Sequence, residues 1–210
     1  MKSHIVSIGM PVFNGAATIE RAVRSLLIQS MPDFELIISD NSSTDTTLDV
    51  LYSIAKHDPR IRIIQQSSNK GAVANFKTVL REAVAEYFMW AACDDWWHPE
   101  FIESNLTNLR ANSQAIASIS NVLIDGKKWG EREAGVFQLI GAPKDKIREF
   151  CWLPGANSRF YSLYRKKSLD GVSLDRTYLA ADWSFIVDLL QRGDFITLHD
   201  FIGFDKSLAG

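Results

Sequence analysis

The sequence predicts an α/β fold, a mostly parallel central sheet flanked by helices in a single domain. Two observations carry that expectation. Short apolar runs alternate with segments of helical period, the pattern of strands joined by crossover helices. In the first hundred residues this alternation gives about four β-α units, each near the ~30-residue size such a unit needs. The 210 residues are 46% hydrophobic and 23% charged, enough for one sizeable core and unlike a disordered chain.

Ile5–Met10 reads as a first buried strand, closed by Pro11 and the Asn14-Gly15 turn. Ile19, Ala22, Val23, Leu26 and Leu27 then share one helix face. Phe34–Ser39 is a second strand, and the polar loop Asp40–Thr46 runs into a helix bearing Leu48, Leu51, Tyr52 and Ala55. Ile61–Ile64 is a third strand. Gly71 opens a helix through Ala72, Phe76, Val79, Leu80 and Ala83, and Tyr87–Ala92 is a fourth strand. Pro99, favoured in a first helical turn, starts the helix through Leu106 and Leu109. Ala115–Ile124 is strand-like and ends at the Asp125-Gly126 turn. Residues 126–158 read as a loop-rich insertion, and Phe160–Tyr164 as a strand with Arg165-Lys166-Lys167 as its solvated end. Trp183, Ile186, Val187 and Leu190 place a helix from near Asp182 to before Gly193, and Phe195–Leu198 is a last strand. No repeat or linker divides the chain.

Charge excludes several classes of partner. The 23 basic and 25 acidic residues leave −2, no global attraction for nucleic acid or an anionic membrane. Cys93 and Cys151 cannot build a disulfide framework, and neither has a neighbour for zinc. The longest apolar run, Tyr87–Cys93, is far below the ~18 residues of a membrane span. Lys2 and His4 lead directly into Ile5–Met10 without a basic-then-apolar leader, so the expected location is cytoplasmic.

Ligands of open parallel sheets bind outside the carboxyl ends of the strands. That rule selects four loops: Pro11–Gly15, Asp40–Asp45, Asn69–Gly71 and Cys93–His98. None carries the glycine fingerprint of dinucleotide binding or a P-loop lysine, which disfavours an NAD-dependent oxidoreductase or a P-loop enzyme. A receiver domain would place its acid pair after the first strand, whereas here the pair follows the fourth. A phosphate-bearing ligand then needs a counter-charge, and Mg²⁺ or Mn²⁺ on Asp94 or Asp95 supplies one.

The stretch Val6-Ser7-Ile8-Gly9-Met10-Pro11-Val12-Phe13-Asn14, with Phe34-Glu35-Leu36-Ile37-Ile38-Ser39-Asp40-Asn41-Ser42-Ser43-Thr44-Asp45, resembles the opening of family 2 glycosyltransferases. Asn69-Lys70-Gly71, Tyr87–Pro99 and Ala181-Asp182-Trp183 fit the same family in order and spacing. The resemblance spans roughly residues 4 to 200 and implies a GT-A fold, a nucleoside diphosphate sugar donor, a divalent cation (Mn or Mg) and inversion at the anomeric carbon. It assigns residues 1–112 to the nucleotide and 113–210 to the acceptor. Pro11 and Phe13 would line the base pocket, Asp40 would accept from the base with Asn41 sharing that contact, and Lys70 would reach the base or phosphates. The metal motif falls on Ala92-Cys93-Asp94-Asp95, making Asp94 the metal ligand beside a donor-binding Asp95. The later acidic pair falls on Ala181-Asp182, leaving Asp182 as the catalytic base. The implied reaction moves a sugar from a UDP- or dTDP-linked donor to a hydroxyl of a glycan or lipid-linked acceptor, in polysaccharide biosynthesis. Peripheral membrane association is compatible with it.

Plainer roles stand beside these. Asp182 sits where a helix N-cap belongs, Asp94-Asp95 where a turn belongs, and Asp45 reads as a cap. Trp96, Trp97, Trp152 and Trp183 are stacking candidates of which at least half belong to the core. Cys93 reads as a small packed residue, and His4, His57, His98 and His199 as structural or surface groups. Because Ala92 and Ala181 stand where the family pattern has acids, the alternative function is a weak or inactive sugar-nucleotide-binding module. A nucleotidylyltransferase would need a basic, glycine-rich first loop, and Pro11–Gly15 has no basic residue.

Overall fold

A computed structural model describes residues 4–152, 155–174, 181–199 and 203–206. Strands β1 (Val6–Val12), β2 (Phe34–Asp40), β3 (Ile61–Gln65) and β4 (Tyr87–Trp90) alternate with helices α1 (Ile19–Leu27), α2 (Thr47–Ala55) and α3 (Ala72–Glu82). The two-residue β5 (Trp96–Trp97), helix α4 (Phe101–Ala111), β6 (Ala115–Ser120), β7 (Val122–Ile124) and β8 (Lys127–Lys128) follow. Helices α5 (Glu131–Ala134) and α6 (Pro143–Trp152), strand β9 (Leu163–Arg165), helix α7 (Ala181–Leu190), and strands β10 (Asp194–Leu198) and β11 (Phe204–Lys206) complete the order.

The main sheet runs β10-β6-β9-β4-β1-β2-β3. Strand β9 pairs antiparallel with both β4 and β6, and the other pairings are parallel. Every residue of β1 and β2 is buried, as expected of central strands covered on both faces. Alternate side chains divide between two cores. Ile8, Met10, Leu36 and Ile38 pack with Leu26 of α1, Leu51 of α2 and Leu106 of α4. Ile37, Phe88 and Trp90 pack with Val79 of α3, Phe150 of α6 and Phe185 of α7. Pro11 is tolerated in a central strand because its nitrogen faces the β4 side, where the ladder has already ended at the Gly9–Trp90 pair.

The second half departs from its sequence pattern. The stretch Ala115–Ile124 breaks at Asn121, so β6 stays in the main sheet while β7 joins a small sheet of order β5-β11-β7-β8. Its Asp125-Gly126 turn has positive φ at both residues, 49° and 72°, which suits a two-residue hairpin. The expected insertion at 126–158 holds β8, α5 and α6. The expected strand Phe160–Tyr164 is instead a 3₁₀ turn, Ser158–Tyr161, followed by β9. Arg165 is no solvated end: it is half-buried and donates from Nε to Ala115 O (2.9 Å) and from Nη2 to Leu109 O (2.6 Å). Those carbonyls end the strand and helix on either side, so the guanidinium ties β6, β9 and α4. Among the described residues no helix is long and apolar enough to cross a membrane.

One aromatic cluster joins the halves. Trp90, fully buried, stacks on Phe160 at 4.8 Å and meets Phe88, Phe185 and Tyr164 edge-on at 4.7, 5.7 and 6.0 Å. Its indole N–H donates to Phe76 O of α3 (3.2 Å). Replacing Trp90→Ala is expected to cost about 3–5 kcal/mol. The denaturant midpoint should fall with its slope unchanged; an unshifted midpoint would show that the cluster does not hold the halves together.

Candidate active site

Three loops at the carboxyl edge are stitched together by short polar side chains. Asn14, at φ 53°, accepts from Thr44 N through Oδ1 (2.8 Å), and its own N–H donates to Ser43 Oγ (2.9 Å). Asp45 accepts from Ala16 N (3.1 Å) and from both the N–H and hydroxyl of Thr47, the Thr47 hydroxyl bond chiefly holding its carboxyl below the usual range. It stands one residue before the N-cap of α2, Thr46, and makes a turn onto the first helical N–H instead of the expected cap. The second loop is tied to the third by Asn41. Its Nδ2 donates to Asn69 Oδ1 (2.9 Å) and Gly71 O (3.3 Å), and its Oδ1 accepts from Lys70 N (2.9 Å). Asn41 thus binds the second loop to the third through both ends of its amide.

Pro11, next to last in β1, is buried, and Phe13 stands 46% exposed in the loop beyond the strand. Asp40 is fully buried at the end of β2. Its Oδ2 accepts from Ser43 N (3.0 Å), while Oδ1 has no hydrogen-bond partner, an unmet demand that a ligand N–H would satisfy. Lys70 is exposed, with Nζ on Gln66 Oε1 (3.0 Å). Asp94 is half-buried, and its carbonyl accepts from Arg21 Nη2 (3.2 Å); Asp95 lies inside. Asp182 is exposed in the first turn of α7, which starts at Ala181; Asp182 is thus inside the helix and not its cap, and the preceding residue lies outside the described ones.

Burial pushes the Tyr161 hydroxyl up, and the charges of Asp95, Asp94 and Asp182 push it the same way. Between α3 and the 3₁₀ turn lies a mostly apolar cavity of about 290 Å³, walled by Val73, Phe76, Phe160 and Leu174 with Asn157, Tyr161 and Asp182. Asn157 donates from Nδ2 to Asp182 Oδ2 (2.8 Å). Sequence reasoning missed Tyr161, Asn157 and Trp90; only Gly155-Ala156-Asn157, a turn-prone tripeptide, gave a local signal. Of the tryptophans, Trp97 is fully buried, Trp183 is half-buried against Phe150 (5.3 Å), Trp96 is half-buried and Trp152 is 82% exposed. His199 and His4 pair with Glu131 and Asp33.

The described residues contain no group of three His, Cys, Asp or Glu able to hold a metal ion by themselves. A hard divalent ion that keeps waters and takes one or two carboxylates plus substrate phosphates needs no such cage. The half-exposed Asp94, an oxygen donor at the strand ends, fits an ion of that kind.

The family model for glycosyl transferase family 2 matches residues 7–172. The GalNAc(5)-diNAcBac-PP-undecaprenol β-1,3-glucosyltransferase of Campylobacter jejuni is 25% identical over 195 residues, covering 90% of this chain and 61% of that protein. Chondroitin synthase of Escherichia coli is 35% identical over 134 residues, 60% of this chain and 19% of that one. The chain thus spans less than two thirds of either relative. The S. aureus TarS 1-349 structure in complex with UDP-GlcNAc superposes with a TM-score of 0.78 at 17% identity, covering 98% of this chain and 59% of that one. Its fold is the GT-A fold.

The two thiols should behave differently. Burial, then the Asp94 charge, pushes Cys93 up to about 11, so it stays protonated well above neutral pH, whereas Cys151 is exposed. Iodoacetamide at pH 8 is expected to alkylate Cys151 and spare Cys93, with Cys93 labelling rising only as pH approaches its own value. Peptide mapping by mass spectrometry reads both. Rapid Cys93 labelling at pH 8 would show the rim to be open.

Proposed function

Since the chain belongs to glycosyl transferase family 2, we propose that it transfers a sugar from a UDP- or dTDP-linked donor to a hydroxyl of a glycan or lipid-linked acceptor, with inversion. The observation that carries this reading is the buried, unpartnered Oδ1 of Asp40 at the end of β2, on the carboxyl edge that also bears Asp94, with Asp182 on the wall of an apolar cavity.

The chain's own residues divide the work. Asp40 Oδ1, buried and unbonded, accepts the N3–H of a uracil or thymine, and Pro11 and Phe13 border that base. Lys70, beside Asn69 on the third loop, offsets phosphate charge. Asp94 would hold the divalent ion, with Asp95 as the neighbouring donor-binding carboxylate. When bound, that ion offsets the negative charge developing on the departing diphosphate. Asp182 takes the proton of the attacking hydroxyl; such help is typically worth ~10²–10⁴-fold. The apolar walls exclude water from the reacting pair. Attack opposite the leaving group in a single displacement inverts the anomeric carbon. Residues 1–112 serve the nucleotide and 113–210 the acceptor.

A thermal-shift panel of nucleotides and nucleotide sugars, with and without Mn²⁺, tests this reading. A ligand at a hundredfold excess over its Kd adds about 2.7 kcal/mol, roughly 5–10 °C in a chain of this size. UDP or dTDP compounds are expected to raise Tm only with the metal, and Asp94→Ala to abolish that dependence. Asp182→Asn should keep the shift and lose transfer by ~10²–10⁴-fold. No shift with any compound would overturn the reading. Tight binding without transfer under any metal would make the chain a binding module.

A further inference from the structure

Asn157 precedes the 3₁₀ turn with φ 48° and ψ 36° and is only 4% exposed. Its backbone is wedged from behind. A Cβ on Gly135, itself at φ 70°, would stand 2.7 Å from Asn157 N, and one on Gly155 would stand 2.4 Å from Arg132 O. Ala156 N–H donates to Glu133 O at 2.8 Å, so residues 155–157 lie directly on α5. Two positions on, the buried Arg159 guanidinium sits over the rings of Phe137 (4.5 Å) and Phe150 (5.3 Å), fastening the far side of the turn.

The side chain reaches forward from this anchor. Nδ2 donates to Asp182 Oδ2 at 2.8 Å; the opposite amide orientation would set two acceptors against each other. Oδ1 is buried and makes no hydrogen bond. The amide thus spends its donor end on an exposed carboxylate of the cavity wall, while its acceptor end stays buried without a partner.

We infer that Asn157 is the positioning residue for Asp182: its amide holds Oδ2, fixes the carboxylate's rotamer and leaves Oδ1 of Asp182 to receive the acceptor's proton. This rests on the reading of Asp182 as the base. An exposed aspartate on a helix otherwise samples several rotamers, and a general base works only within hydrogen-bond reach of its proton. Asn157 touches the carboxylate and acts through it.

Four variants test this. Asn157→Gly keeps the left-handed backbone, which glycine adopts freely, and removes the amide. Asn157→Asp keeps an αL-tolerant residue of nearly the same shape and replaces the N–H donor with an acceptor. Asp182→Asn alone and combined with Asn157→Gly complete a double-mutant cycle. The readouts are crystal structures, Tm, UDP affinity with Mn²⁺, and turnover of UDP-N-acetylglucosamine, UDP-glucose, UDP-galactose and dTDP-glucose by released nucleoside diphosphate. Asn157→Gly is expected to fold, to bind UDP as before, to lose up to about 100-fold in kcat and to show Asp182 in more than one rotamer. Asn157→Asp should not rescue, and the double variant should be no slower than Asp182→Asn alone. Rescue by aspartate, or an unchanged Asp182 rotamer in Asn157→Gly, would overturn the inference. If none of the four donors turns over, the crystal structure of Asn157→Gly decides alone. Slow Asp182→Asn beside fully active Asn157→Gly would refute the positioning role and keep the base; fully active Asp182→Asn would refute the base itself.

Discussion

The cleft depends on one buried indole. Trp90 ends β4, and its N–H must find an acceptor because a buried donor left unmade costs about 1–3 kcal/mol. The acceptor it finds is the carbonyl of Phe76, which fixes α3 against β4 at one register. Its ring faces then seat Phe160 and Phe185, bringing the 3₁₀ turn and α7 to the same point. Phe76, Phe160 and Asp182, which wall the cavity, come from these three elements. The rim acids Asp94 and Asp95 leave the same strand within five residues, so one side chain sets the distance between the two ends of the proposed chemistry.

Around this point the chain is sewn with neutral amides. Asn75 of α3 donates to Val12 O (3.2 Å) and Ser39 O (2.9 Å), binding the ends of β1 and β2 where they part. Asn41 and Asn14 do the same for the loops. An amide offers donor and acceptor without adding charge, and the choice has an electrostatic consequence. Carboxylates at the rim would repel a diphosphate by Coulomb interaction, strongly where water is excluded. Under the proposed reading that mismatch is what a divalent cation would relieve.

The first hundred residues were legible because their periodicities follow directly from burial. Strands β1 and β2, covered on both faces, read as apolar runs, and α1, buried on one face, shows Ile19, Ala22, Val23 and Leu26 at helical spacing. Strand ends then located the loops without knowledge of packing. The second half hid more. Asn121 breaks an apolar run whose two parts join different sheets, and nothing local distinguishes that from one strand. Arg165 reads as solvated in sequence, yet its guanidinium finds two terminal carbonyls, which only the tertiary fold brings within reach. The same limit applied to the site. Asp94 and Asp182 were identifiable as acids at element ends, whereas Asn157 matters because the fold brings its amide to a carboxylate far along the chain.

The two alanines bear on the charge of the site. Where the family resemblance places further acids, this chain carries Ala92 and Ala181. Burial pushes the half-buried Tyr161 phenol up, and the charges of Asp95, Asp94 and Asp182 push it the same way. Each added carboxylate there would raise the repulsion in a poorly screened space. With alanine at both positions the site carries less negative charge. The remaining demand falls on geometry: an ion that takes most of its oxygens from the donor's phosphates needs few protein ligands. Under the proposed reading Asp182 is a base without an acidic neighbour, and the group that orients it is the amide of Asn157.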